Sequence, residues 1–458
     1  MPQEDTLQKS TLIVTTVTAF MAPFMLSSVN VALPAIQADL GANAILLGWT
    51  ATAYLLATAI VLVPAGKFAD IYGRKKVFLR GGIIYTLGSF LAVFAPNIEW
   101  LLAMRVVQGL GAAMFITTGM AILTSVLPPA KRGKGIGILV TSVYVGLATG
   151  PFAGGFLTKF LGWRSLFAFM VLLGLGSIHV TVSRLQGEWA EARGEKFDRA
   201  GSLLYAVSIF LLVYGATRII EITTALLFVA GCLGLVFFYG QQKRTPHPLV
   251  EVTLFSQNHT FLFSSLAALI HYAATFAVTF QISLFLQYIK GMEPQAAGTV
   301  LMIQPVMMAL LSAQAGKLSD RIEPRVLASA GMSLTALGLA FFAFLAETTP
   351  LWQISANLAL LGFGFALFSS PNMSAIMGSV ERRQYGVASG TVATMRLLGQ
   401  MCSMAIATVF LAIFIGRAQI QPYNYSLFQT SMRSCFALFV VLCVIGIGFS
   451  LFRGEIRK

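Results

Sequence analysis

The sequence predicts an all-α polytopic membrane protein of two six-helix bundles plus two extra transmembrane helices, and three observations predict it. The 458 residues are 57% hydrophobic and only 10% charged, with a mean hydropathy of +0.80, whereas a soluble chain carries about a quarter charged residues. Apolar runs recur from end to end between short polar loops, most of them long enough for a hydrocarbon core that needs roughly 20 helical residues. A short loop motif also occurs twice, at matching places in the two halves.

In chain order, the apolar runs place spans near 12–34, 46–65, 78–95, 100–127, 134–158, 165–184, 201–218, 223–240, 262–288, 296–315, 326–346, 352–378, 387–416 and 429–452. That makes fourteen. The first is too long and too interrupted by Pro and Asn for a cleaved signal, and it is read as retained. The chain then divides into an N-terminal bundle (1–184), a section of polar linkers and two extra helices (185–261), and a C-terminal bundle (262–458). Cys232, Cys402, Cys435 and Cys443 all fall within spans, where packing is their expected role.

A net charge of +14 would suit nucleic acid if the basic residues shared one soluble face, but here they are sorted by loop. Fourteen spans put both termini on one side, and the loops of that side hold 23 of the 31 Lys and Arg residues. The positive-inside rule makes that side cytoplasmic. The expected setting is therefore a cell membrane, specifically a prokaryotic cytoplasmic membrane, crossed many times. No nucleic-acid partner is expected, and the lipid bilayer is the surrounding medium.

The repeated motif reads Gly66-Lys67-Phe68-Ala69-Asp70-Ile71-Tyr72-Gly73-Arg74 after the second span and Gly316-Lys317-Leu318-Ser319-Asp320-Arg321 after the tenth. Matching positions are 250 residues apart, which indicates a parallel duplication of six-span blocks. That is the arrangement expected of a transporter with its solute bound between halves. Glycine lets the chain leave a helix tightly, and the aspartate can accept from backbone N–H groups or pair with a nearby arginine. Gly66, Asp70, Gly73, Arg74, Asp320 and Arg321 thus form a candidate latch between the halves.

These residues, with several others, resemble the major facilitator superfamily, and the fourteen-span count is similar to its drug:proton antiporter branch. Span four carries Leu102-Ala103-Met104-Arg105-Val106-Val107-Gln108-Gly109, and span five carries Gly146-Leu147-Ala148-Thr149-Gly150-Pro151-Phe152-Ala153-Gly154-Gly155. Gly162-Trp163-Arg164, Phe285-Leu286-Gln287, Ser370-Pro371-Asn372 and Gly399-Gln400 fit the same branch. The resemblance implies the superfamily's two-bundle fold. It also implies a charge network of Asp70 and Arg74 that favours an outward-open state, and a leak-tight helix contact through Gly146, Gly150, Pro151, Gly154 and Gly155. Small residues four apart independently allow close helix approach in lipid. Span one matches the branch from Val29-Asn30 to Pro34, but Met25 stands where many members carry an acid thought to help bind protons or cationic drugs.

All seventeen acids fall in loops or near span ends, so no carboxylate is expected at mid-membrane to balance a buried cation. What is buried is basic or neutral. Arg105 is the first choice for function, because an intramembrane arginine costs roughly 2.5–3.5 kcal/mol and should face a cavity, carbonyls or substrate. His271 is the candidate proton carrier, since an imidazole titrates near neutral pH. Asn30, Gln108, Gln281, Gln287, Gln304 and Asn372 complete the expected cavity, as amides that read a polar solute through paired donors and acceptors.

No phosphate loop, no His/Cys cluster with metal spacing and no nucleophile elbow is present, which argues against an ATP-driven pump or an enzyme. No cofactor or metal is expected, and neither is oligomerisation. The reading is a secondary transporter, a proton-coupled exporter of drug-like or amphiphilic small molecules. The alternatives are an organic anion or zwitterion exchanger or facilitator, and a lipid-handling or sensing membrane protein.

Overall fold

The structure is a computed structural model that describes residues 2–216, 222–250, 255, 258–319, 321–380 and 385–454. Among the described residues, fourteen helices are long and apolar enough to cross a membrane, as the apolar runs predict. Spans one to six are Thr6–Leu40, Ala44–Tyr72, Arg74–Val93, Ile98–Val126, Gly135–Leu161 and Arg164–Arg184. The extra pair, spans seven and eight, is Arg199–Ala216 and Thr223–Gln242. Spans nine to fourteen are His259–Ile289, Pro294–Ser319, Pro324–Ala343, Leu351–Gly378, Gly390–Phe414 and Pro422–Phe452.

The boundary difference at the end of span two has a simple cause. Span two leaves the apolar stretch near residue 65, yet its helix continues to Tyr72 and carries Lys67 and Asp70 on its last turns. Polarity does not end a helix. The end comes at Gly73, whose φ of +118° suits only glycine and starts the turn into span three.

Spans one to six pack among themselves, with span one against five and spans two and three against four. In the second group span nine packs on thirteen and fourteen, span eleven on twelve and fourteen, and span ten on twelve. The extra helices form a hairpin that leans on span two and also touches span thirteen, covering the seam where those two helices meet. The Tyr205 hydroxyl donates to the Ala59 carbonyl (3.2 Å), and the Trp49 and Tyr214 rings lie 6.2 Å apart.

The fourteen described spans put the start of span one and the end of span fourteen on one face, called here the terminal face; the opposite one is the far end. The bonds joining the two groups gather at the far end. Pro34 has no N–H and cannot bond the Asn30 carbonyl four residues back. That freed carbonyl accepts instead from Ser283 Oγ of span nine, at 2.7 Å. Beside it, Gln287 Nε2 donates to the Val31 carbonyl (2.9 Å). Gln37 brackets Ile420, donating to its carbonyl (3.2 Å) and accepting from its N–H (3.5 Å). Ala44 N–H donates to the Ala418 carbonyl (3.0 Å), and Lys159 pairs with Glu293 (2.6 Å).

Two helices break where they border the space between the groups. Span nine is interrupted at Phe276 and ends in a π-turn over Phe285–Ile289, and span ten turns at Met302 shortly before Pro305. Such breaks persist in lipid only where other groups satisfy the released backbone. Here Ser403 Oγ of span thirteen accepts from the Ala277 N–H (2.9 Å).

Candidate functional site

A cavity lies between the two groups, just below the far-end contacts, with about 660 Å³ of empty space including its mouth. Spans one and five supply one wall, with Ser27, Asn30, Leu147 and Pro151. Spans nine, ten, twelve and thirteen supply the other, including Tyr272, Thr275, Thr279, Gln304, Phe365 and Gln400. None of its lining residues carries a formal charge. Behind the lining, Arg396 lies against the Tyr272 hydroxyl.

Of the eight residues expected here, Asn30 and Gln304 line the cavity and the other six lie elsewhere. Arg105 is buried inside the first bundle, 1% exposed, with Nε donating to the Thr50 carbonyl (2.9 Å) and Nη1 to Gln108 Oε1 (3.0 Å). Its guanidinium sits 4.5 Å from the centre of the Tyr54 ring. Gln108 passes the chain on to Ser89 (2.7 Å). Arg105 and Gln108 therefore tie spans two, three and four together, and neither is offered to a solute in this conformation. A buried guanidinium is costly, and carbonyl, amide and ring partners offset that cost at this position.

His271 is fully buried between the rings of Phe368 (4.1 Å) and Phe365 (5.1 Å), and neither ring nitrogen has a hydrogen-bond partner. Its site is an aromatic packing site, and the proton-carrying part expected of it has no relay beside it here. Gln281 lies beside Cys435 of span fourteen and outside the cavity lining, with neither amide atom hydrogen-bonded. Gln287 is spent on the far-end contact. Asn372 belongs to the second bundle's terminal-face end, where it donates to the Ser264 carbonyl (3.0 Å) and accepts from Arg453 Nη1 (2.8 Å).

The glycines of span five divide their work by face. A side chain on Gly146, Gly150 or Gly154 would strike Phe20, Ser27 or Ser28 of span one, so these three set the close packing inside the first bundle. Gly155 faces the other way, against the Pro294 carbonyl, and the Pro151 carbonyl in turn presses on Gly298 of span ten. This second contact is part of the far-end seal.

At the terminal face the first copy of the repeated loop holds the linker after span six. Arg74 bonds Asp70 (2.7 Å), Glu191 (2.7 Å) and Ser125 (2.9 Å) through its side chain, and its N–H donates to the Trp189 carbonyl (2.8 Å). Lys67 pairs with Glu195 (2.6 Å), the Lys75 N–H donates to Glu188 (2.8 Å), and the Asp70 carbonyl accepts from the Ala192 N–H (2.9 Å). Gly73 leaves the space that the Glu188 side chain fills. The Lys67 hydrogen bond holds the Glu195 carboxyl below its ordinary value. In the second copy Gly316 approaches Ser370, as Gly66 approaches Thr117. Arg321 is exposed, and Asp320 lies outside the described residues.

Sequence reasoning does not single out Thr275, Thr279 and Gln400 for the cavity, Ser283 and Gln37 for the far-end contact, or the linker acids. Gln400 belongs to the Gly399-Gln400 motif without being assigned to the cavity, and Glu188, Glu191 and Glu195 cluster in the linker near several basic loop residues. Nothing in the sequence marked Ser283.

Comparison with known proteins completes this geometry. The sequence profile of the Major Facilitator Superfamily matches residues 15–257 and 264–458. The chain belongs to that superfamily. Riboflavin transporter RibZ of Clostridioides difficile is 29% identical over 96% of each chain. Multidrug resistance protein Stp of Mycobacterium tuberculosis is 30% identical over 91% of this chain and 78% of its own. Among solved structures, peptide transporter POT in complex with sulfate superimposes with a TM-score of 0.71 at 14% identity, covering 98% of both chains. The protein is thus a membrane transporter of the superfamily fold, with a small molecule as its cargo, and not an enzyme. Its fourteen helices and its multidrug relatives agree with the drug:proton antiporter branch.

Proposed function

We propose that this superfamily member is a proton-coupled exporter of drug-like or amphiphilic small molecules, working by alternating access in a cytoplasmic membrane with both termini inside. The observation that carries the reading is the cavity, amphipathic and uncharged in its lining, sheltered beneath a far end whose halves are already in contact. With the basic terminal face inside the cell, such a cavity is loaded from the cytoplasm. Release to the other side then requires the far-end contacts to part while the terminal-face ends meet, a rocking of bundles about a midplane site. Gly66, Asp70, Gly73, Arg74, Asp320 and Arg321 would serve as the latch of that second state, after the first copy lets go of the linker. The similarity to a multidrug resistance protein supports the cargo class.

The proton is the coupling ion that the branch suggests, and His271, buried and without a relay in this conformation, is the titratable residue we assign to it. A proton reaches that ring only after the flanking Phe365 and Phe368 part. Purified protein in vesicles with an internal pH-sensitive dye tests the reading. Solute-dependent proton movement opposite to solute flux is the expected result, and flux indifferent to a proton gradient would sink the coupling.

A second reading has one specific support. The riboflavin transporter matches this chain over nearly its whole length, and an uncharged lining of amides and rings suits a flat polar heterocycle. Riboflavin uptake toward the terminal face would favour it over export. The organic-anion alternative loses its main support, because Arg105 lies away from the cavity.

A further inference from the structure

Asn30 and Gln304 stand on opposite walls of the cavity, one from each bundle, and both are more than nine-tenths buried. The side-chain oxygen of each accepts no hydrogen bond. An unpaired acceptor in such a place is costly until a donor arrives. The backbone adds to the pattern. Pro151 and Pro305 cannot donate to the carbonyls of Leu147 and Leu301 four residues back, and all four residues line the same cavity. The site holds bare acceptors and no ionised lining group, while Arg396 lies behind it against Tyr272.

Resting on the exporter reading for the use of this cavity, we propose that its cargo is an uncharged solute with two separated N–H or O–H donors, one read by Asn30 and the other by Gln304. A lipophilic cation finds no carboxylate to offset its desolvation, and Arg396 opposes it. An anion finds no ionised partner in the lining and leaves the two bare oxygens unsatisfied. A two-donor neutral solute satisfies both bare oxygens at once and so links the bundles through itself. Asn30 carries a second connection, because its own carbonyl is the one Ser283 holds across the far-end seal. Cargo bound to its side chain therefore acts one residue away from the contact that must open for release.

The test is equilibrium binding to the detergent-purified protein, read by intrinsic fluorescence, with four probe sets. They are primary aromatic dicarboxamides on benzene, naphthalene and biphenyl cores, their N-methylated analogues without donors, the matching dicarboxylates, and tetraphenylphosphonium. At least one primary dicarboxamide is expected to bind about tenfold or more tightly than its methylated analogue, as two hydrogen bonds predict. Asn30→Leu and Gln304→Leu should each shrink that ratio. Asn30→Asp, which keeps the side chain's shape, should bring in tetraphenylphosphonium binding that the wild type lacks. Wild-type preference for tetraphenylphosphonium or for a dicarboxylate overturns the proposal, and so does equal binding of the methylated analogues or binding of no probe at all. Because binding is read without a membrane, dicarboxamide selectivity without flux in vesicles would count against the exporter reading alone.

Discussion

The two ends of the molecule are held by different chemistry. At the far end the bundles touch directly, through a freed carbonyl, amide bridges and glycines that let backbone meet backbone, as Gly298 meets Pro151 and Gly155 meets Pro294. At the terminal face the repeated loop binds the linker of its own bundle through partly exposed ion pairs, with Arg74 on Glu191 and Lys67 on Glu195. Shape governs most of the first contact, which also carries the Lys159–Glu293 ion pair, and charge governs the second. A contact of shape is lost to added volume and is indifferent to salt, whereas an exposed ion pair is weakened by salt and acid. The end that must open for release is therefore controlled by packing, and the end that must close is held ready by charges.

The largest effect should come from volume at the far end. Gly298→Leu puts a side chain where the Pro151 carbonyl lies, and overpacking of this kind costs about 1–3 kcal/mol or more. That shifts the balance toward an open far end by roughly 10- to 100-fold. Spin labels on the exposed far-end positions Leu161 and Tyr423 should report a longer distance, and an unchanged distance would break the contrast. The double substitution Ser283→Ala with Gln287→Ala removes the two bonds to the Asn30 and Val31 carbonyls. It should move the same distance distribution by about 1–2 kcal/mol, with no dependence on salt.

Smaller changes are expected at the terminal face. Asp70→Asn or Glu191→Gln weakens the hold of Arg74 by about 0.5–1 kcal/mol. The linker should then be nicked faster by trypsin at Arg193 and Lys196, an effect that high salt reproduces in the wild type. Equal cleavage rates at low and high salt would argue that the clasp is not electrostatic. The smallest effect is that of pH on Glu195. Its carboxyl is held low by Lys67, so the stabilisation is complete above the ordinary value of 4.5 and is lost as pH falls through the lowered one. Acrylamide quenching of Trp189, read with the other tryptophans replaced by Phe, should stay flat from pH 8 to about 5 and rise only below that. In Glu195→Gln it should be raised at every pH.

The sequence by itself determined the membrane, the fourteen spans, the duplicated loop and the lack of an acid at mid-membrane. Each follows from composition, run length or spacing, all of which are local properties. It also carried the family, through motifs quoted residue by residue. What it left open was the direction each polar side chain takes. A helix in lipid is apolar on nearly every face, so no amphipathic stripe marks which side meets a cavity. Gln281, Ser283 and Gln287 occupy two turns of one helix, yet one lies beside Cys435 and the other two turn to the backbone of span one. Arg105 similarly reads as a binding residue until spans two and three are placed around it. Only the tertiary structure decided which buried polar groups were already paired, and Asn30 and Gln304 keep oxygens that still lack a partner.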